Sequence, residues 1–163
     1  MKFVVSNATP IRYLAEIEVV EILPYLFQRV VIPSMVLQEL THEHTPKIVR
    51  NFIVSHPEWL EIRNVKSKDN TLNTLDPGEQ EAISLAGEIQ AKTILLDDKD
   101  ARCIAEQKGF YCVGTLGILA EAAKKNKIDI LHAIALLKQT KFRAKPQLFQ
   151  QVIDDVLSTK QFL

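Results

Sequence analysis

The sequence predicts an α/β fold in which a parallel sheet lies between helices, and three features carry that prediction. Short apolar runs rich in β-branched residues alternate along the chain with stretches of helical periodicity. One of these runs, Thr93-Ile94-Leu95-Leu96, is apolar without a break, as a strand covered on both faces requires. Asp76-Pro77-Gly78-Glu79 supplies an N-cap, a proline at the first helical position and a glutamate at the third, the components of a capping box.

Phe3-Val4-Val5 reads as the first strand. Asn7-Ala8-Thr9-Pro10 turns it into a helix, with Thr9 suited to the N-cap and Pro10 to the first helical position. Arg29-Val30-Val31-Ile32 is a second strand, followed by a helix that starts at Ser34 and buries Met35, Val36, Leu37 and Leu40. Residues 46–55 form another helix with Ile48, Phe52 and Ile53 on one side. Residues 60–65 alternate apolar and polar, the mark of a half-exposed edge strand. A polar loop over 66–75 leads into the capping box and a helix of about 14 residues carrying Ala82, Ile83, Ala86 and Ile89. The run 93–96 reads as the central strand and stops at Asp97-Asp98-Lys99-Asp100. A short helix over 101–108, a strand Tyr111-Cys112-Val113, a helix from Thr115 to about Lys125 and two further helices over 129–138 and 146–159 complete the pattern.

At 163 residues, 47% of them hydrophobic, the chain suits one domain spanning 1–163, with the helices after residue 129 packing on it or forming an interface. Five Gly and seven Pro are scattered, which excludes a collagen-like repeat or a long disordered tract. The longest apolar stretches span about five residues, far short of the roughly 18 needed to cross a bilayer, so no membrane association is expected. The N-terminal apolar run is too short for a signal-peptide core, and the expected location is the cytoplasm. Cys103 and Cys112 match no CxxC spacing and read as two buried, reduced thiols.

The formal charge is zero, but residues 1–123 hold 12 Lys and Arg against 17 Asp and Glu, whereas residues 124–145 hold seven Lys and Arg against Asp129 alone. A basic arm beside an acidic centre is compatible with a polyanionic substrate. Lys124, Lys125 and Lys127 are candidate contacts to a nucleic-acid backbone, together with Lys138, Lys141, Arg143 and Lys145.

The acids follow a pattern of their own. In a parallel α/β sheet, helix N-termini and strand C-termini share one edge, where ligands bind. Asn7 ends the first strand, Asp97 and Asp98 end the run 93–96, Glu79 lies in the first turn of its helix, and Glu39 lies about five residues past Ser34, still near that edge at 1.5 Å rise per residue. Carboxylates gathered in this way repel one another unless a cation sits among them. Oxygen donors without Cys or His are the set preferred by Mg²⁺ or Mn²⁺, which can orient water on phosphorus and stabilise charge on phosphate oxygens. The chemistry this suggests is phosphodiester hydrolysis.

The ordered set Val4-Val5-Ser6-Asn7-Ala8-Thr9-Pro10, Val31-Ile32-Pro33, Glu39-Leu40, Leu75-Asp76-Pro77-Gly78-Glu79-Gln80-Glu81-Ala82, Leu95-Leu96-Asp97-Asp98-Lys99 and Gly114-Thr115-Leu116-Gly117 resembles the PIN-domain nucleases, over nearly the whole chain. It looks most like the small prokaryotic branch related to the toxin of type II toxin-antitoxin pairs, the virulence-associated-protein-C type. The resemblance implies a three-layer α/β/α sandwich of strand order 3-2-1-4-5, a Mg²⁺ or Mn²⁺ site at its acidic rim, endonucleolytic cleavage of RNA, a homodimer and often a cognate antitoxin protein. Family members usually carry Asp at the end of the first strand. Asn7 keeps the carbonyl oxygen and loses the charge.

Each candidate also has a plainer explanation. Glu79 completes a capping box, Glu39 is a solvated helix residue, Asn7 a turn former, and Asp97 and Asp98 are capping acids. Thr115 is either an N-cap or a contact to water or phosphate. His42-Glu43-His44 has a metal-binding form in a polar loop where solvation suffices, and Phe142 is the one aromatic placed for base stacking. The stripe Leu148, Val152, Ile153, Val156 and Leu157 suits core packing, or else a dimer or antitoxin groove. The alternatives to a ribonuclease are a PIN-fold module that binds RNA or protein without cutting, and an acidic-rim phosphotransfer or phosphatase domain built on Asp98-Lys99-Asp100.

Overall fold

The structure is a computed structural model and describes residues 2–161. Five short strands, β1 (Phe3–Ser6), β2 (Arg29–Pro33), β3 (Leu60–Arg63), β4 (Thr93–Leu95) and β5 (Tyr111–Val113), form one sheet of order β3-β2-β1-β4-β5 in which every pairing is parallel. The expected strand order is therefore met, but the centre is β1. The run that reads as central from its composition, β4, is an inner strand one place away.

Alternation across the pleat fills both faces. Val4, Val30, Ile32 and Leu95 point into one apolar cluster and Val5, Val31, Ile94 and Leu96 into the other, all essentially inaccessible to water. The first cluster is closed by α1 (Ala8–Glu16), α2 (Ile22–Phe27), α3 (Ser34–Thr41), α4 (Lys47–Val54), α7 (Thr115–Lys124), α8 (Ile130–Lys138) and α9 (Pro146–Gln161). The second is closed by α5 (Pro77–Glu88), α6 (Lys99–Gln107) and a 3₁₀ turn at Asn70–Leu72 within the polar loop. The result is the helix–sheet–helix sandwich that the alternating pattern predicts.

α3 and α7 start at Ser34 and Thr115 as expected but are capped one residue earlier, while α1 and α6 start earlier than expected, α6 at Lys99. α1 begins at Ala8 with Asn7 as N-cap, two residues before the Thr9-Pro10 start. Pro10 is tolerated there because the first-turn N–H groups have no intrahelical partner to lose. α3 is capped at Pro33 rather than Ser34, because Glu81 of α5 supplies the acceptor for the N–H of Met35 at 3.0 Å. α7 is capped at Gly114, and Thr115 is its first residue. The capping box of α5 forms as expected: Asp76 accepts from the Glu79 N–H at 2.8 Å and Glu79 accepts from the Asp76 N–H at 3.2 Å.

Other expectations shift on burial. Cys112 is buried, but Cys103 is exposed on the outer side of α6. Phe142 is buried between Tyr13 and Phe149 in edge-on contacts, so its ring is unavailable to a base. The α9 stripe divides: Val156 is fully buried, Val152 and Ile153 pack against the core, and Leu148 and Leu157 remain exposed. Among the described residues no helix is long and apolar enough to cross a membrane.

Candidate functional site

Parallel pairing sets the strand ends level. Ser6 registers with Leu95, and the Asn7 N–H continues the ladder by donating to the Leu95 carbonyl at 3.0 Å. Asn7 and Asp97 thus leave neighbouring strands at the point where the chain order reverses, the crevice in which open α/β sheets bind ligands. α3 and α5 carry Glu39 and Glu79 to the same rim, in direct contact with each other.

Gly78 marks how closely these groups approach. A Cβ at Gly78 would overlap the Glu39 carboxylate and come within 3.3 Å of Asn7 Oδ1. Only a residue without a side chain lets both oxygens converge on the first turn of α5. Asn7 is buried, and its Oδ1 accepts no hydrogen bond from any described residue. A buried acceptor left in this state normally costs about 1–3 kcal/mol.

The electrostatics agree. Loss of hydration, reinforced by the Asp76 carboxylate, pushes Glu39 up to about 7. The same loss, followed by repulsion from Asp76 and smaller contributions from Asp98 and Glu39, pushes Glu79 up to about 7, against the opposing hydrogen bond from the Asp76 N–H. Asp97 is also raised, chiefly by burial; the two hydrogen bonds from Thr115 and the Arg102 guanidinium resist that shift. Thr115 Oγ1 donates to Asp97 Oδ2 at 2.6 Å and the Thr115 N–H donates to Oδ1 at 2.9 Å.

The structure therefore sorts the expected site residues. Asn7, Glu39 and Glu79 meet at Gly78, while Asp98 sits close enough to repel Glu79 and also caps α6 through the Ala101 N–H at 2.9 Å. Asp97, Asp98 and Glu79 line one cleft of about 870 Å³. Fully buried Thr115 grips Asp97, which places it behind the carboxylate. Lys124, Lys125 and Lys127 lie at the other end of α7, about 15 Å from Thr115 at 1.5 Å per residue. There Lys124 is paired with Asp155 at 2.7 Å and Lys127 sits over the Tyr25 ring. The His42 and His44 rings lie against each other at a tilt of 42° in the exposed loop after α3.

Four residues of this region were not picked out by pattern. Asp76 reads as a cap and also shapes the field at both glutamates. Glu81 reads as one more helix residue and holds α3. Arg102 is four residues past the Asp98 cap, a helical spacing that returns it to the side of Asp97. Tyr111, 69% exposed, lies on the edge strand lining the cleft. Of these, Arg102 alone carried a usable signal, the i,i+4 step from a rim acid.

The family model described as PIN domain matches residues 3–158. The chain belongs to the PIN-domain family. Among solved structures, a PilT N-terminus domain protein, SSO1118, from the hyperthermophilic archaeon Sulfolobus solfataricus P2 shares the fold with a TM-score of 0.52 at 18% identity, over 74% of this chain and 92% of that one. No curated protein compared with the sequence matches it. PIN domains have a nuclease-type fold, which suggests an RNA substrate, and they generally depend on divalent metal. The donor set here suits such an ion: oxygen atoms alone, two glutamates that hold protons near neutrality, and the unsatisfied Asn7 Oδ1. Among the described residues no three of these acidic side chains are gathered closely enough to hold an ion together.

Proposed function

We propose that this PIN domain is a metal-dependent endoribonuclease that hydrolyses RNA phosphodiester bonds, of the branch related to antitoxin-controlled toxins. Glu39, Glu79, Asp97 and Asp98 are its acids and Asn7 is a neutral oxygen donor. The observation that carries the reading is the buried, unpartnered Oδ1 of Asn7 set against the Glu39 carboxylate at Gly78. A cation is what both oxygens lack.

The chemistry that Mg²⁺ or Mn²⁺ supplies in such a donor set is polarisation of a phosphoryl oxygen and acidification of water. The chain's own groups do the rest. Glu79, pushed up to about 7 by burial and by repulsion from Asp76, Asp98 and Glu39, would be held as the carboxylate once a cation sits among these acids. Thr115 and Arg102 fix Asp97 so that its orientation costs nothing when substrate arrives.

A second reading, a PIN fold that binds RNA or a protein partner without cutting, is favoured by two features. Asn7 lacks the charge that family members usually have there, and Arg102 partly neutralises Asp97. A homodimer would use the apolar residues left exposed on α9, Leu148 and Leu157.

The experiment is cleavage of labelled RNA with Mg²⁺ or Mn²⁺ by the native protein and by Asp97→Asn. Cleavage that disappears in the variant supports the enzyme. Equal cleavage by both removes these acids from the reaction, and metal-insensitive binding without cleavage selects the second reading.

A further inference from the structure

The cleft does not end at the acids. It continues along the outer edge of β5, from Gly114 beside Asp97 past Val113 and Cys112 to Tyr111, about 10 Å at 3.3 Å per residue. Lys99 and Arg102 from α6 form one wall at the acidic end, and Lys141 and Arg143 from the α8–α9 connection stand in the same cleft. Arg102 faces the Asp97 carboxylate, whereas Lys99, Lys141 and Arg143 have no ion-pair partner among the described residues; Arg29, Arg63, Lys68, Lys108 and Lys124 elsewhere each have a carboxylate partner. At the other end lies the Tyr111 ring, largely open to solvent on an edge strand.

We propose that this groove holds an unpaired RNA strand, with Lys99, Arg102, Lys141 and Arg143 taking its phosphates beside the acids and Tyr111 stacking one of its bases. The inference rests on the nuclease reading of the rim and assigns the residues that grip the substrate. A groove that carries several cations and an exposed aromatic is the arrangement by which single strands are held without reading their sequence. A peptide added as a sixth strand suits the edge poorly. Tyr111 and Val113 already use backbone groups towards β4, so Cys112 alone points its N–H and carbonyl outward. The basic run 124–145 is thereby divided in space: its second half meets the cleft, and its first half lies at the far end of α7.

The test measures binding of a fluorescent ten-nucleotide uridine RNA by anisotropy in EDTA, where cleavage is silent, across a range of salt. The Lys141→Ala/Arg143→Ala protein should bind about tenfold or more weakly and lose about 1.4 from the slope of log affinity against log salt, as two single-strand phosphate contacts require. Tyr111→Ala should weaken binding about tenfold with its salt slope unchanged, because stacking releases no counterion. The Lys124→Ala/Lys125→Ala/Lys127→Ala protein measures the rival basic surface and should keep most of its affinity. The assignment is overturned if the native protein does not bind, if the triple variant loses binding while the cleft variants retain it, or if an RNA duplex binds as tightly as the single strand. An acidic ten-residue peptide that displaces the RNA from the native protein but not from Tyr111→Ala would overturn it in favour of a protein occupant. Binding with the expected pattern but no cleavage in Mn²⁺ keeps this inference and defeats the enzyme, while cleavage indifferent to the cleft variants does the reverse.

Discussion

The Glu81 carboxylate of α5 accepts the backbone N–H of Met35 in the first turn of α3 at 3.0 Å. α3 has no side-chain cap of its own, since Pro33 holds that position, so a buried glutamate 46 residues later in sequence does the capping. The charge also meets the positive end of the α3 dipole, which stabilises it further. Because α3 carries Glu39 and α5 carries Glu79, this hydrogen bond helps to tie together the two helices that bring those acids to the rim. Glu81→Ala should lower stability by about 1–3 kcal/mol, the cost of losing a cap and a charge-assisted bond, as read by denaturant unfolding. Glu81→Gln keeps an acceptor and should lose less than half of that. Equal losses in both variants would mean that the charge, not the hydrogen bond, holds α3.

Gly78 separates folding from activity. Its backbone is ordinary helix, and alanine there gains helix propensity worth about 0.5–1 kcal/mol. The new methyl group displaces the tip of the Glu39 side chain, which can swing into solvent. Gly78→Ala should therefore unfold at the same temperature or slightly higher while RNA cleavage falls at least tenfold, mostly in kcat. A variant that cuts at the native rate would show that the meeting of Glu39 with Asn7 is not used.

The acid cluster gives stability a pH dependence of known sign. Glu39 and Glu79 are raised from 4.5 to about 7 in the folded chain, so between those values the unfolded chain has released protons that the native state still holds. Stability should fall as pH rises through that window and level off above it. Asp69, lowered to about 2 by Lys108 and Thr71, and Glu61, lowered by Arg63, act in the opposite sense below it, so the two effects separate on the pH axis. Thermal melts in chelator from pH 5 to 8 measure the decline, and Mn²⁺ should flatten it by stabilising the ionised carboxylates. A melting temperature that climbs over this range would contradict the crowding of these acids.

Much of this architecture was legible in local patterns, for reasons visible in single residues. Ile94 and Leu95 are buried on opposite faces, so an unbroken apolar run could only be an inner strand. The capping box of Asp76 and Glu79 acts within four residues and therefore showed itself in full. Features set by distant partners did not. Thr115 looked like a cap because nothing nearby in sequence reveals that Asp97, 18 residues earlier, takes both of its donors. Asn7 looked like a turn residue before Thr9, although the sheet ladder to Leu95 makes it the cap itself. Residues 124–127 read as one basic run with 141–145 because sequence proximity hides the length of a helix; α8 lies between them, and Lys141 and Arg143 beyond it line the cleft.

Asn7→Asp probes the site most directly, because it changes one atom's charge where nothing else is bonded. The position is 5% exposed and its Oδ1 has no donor, so in chelator a carboxylate there would be desolvated and would face the two glutamates that already repel each other. The variant should melt several degrees lower without metal, and more so at pH 8 than at pH 5, where protonation relieves it. With Mn²⁺ the order should reverse, since the added charge strengthens the ion's hold and ligand binding stabilises the native state by mass action. Titration calorimetry should show Mn²⁺ binding about tenfold tighter than in the native chain, and RNA cleavage should rise with it. If the variant is no less stable in chelator and gains nothing from Mn²⁺, then the oxygen of Asn7 does not look onto a cation site, and the acids at Gly78 serve the fold alone.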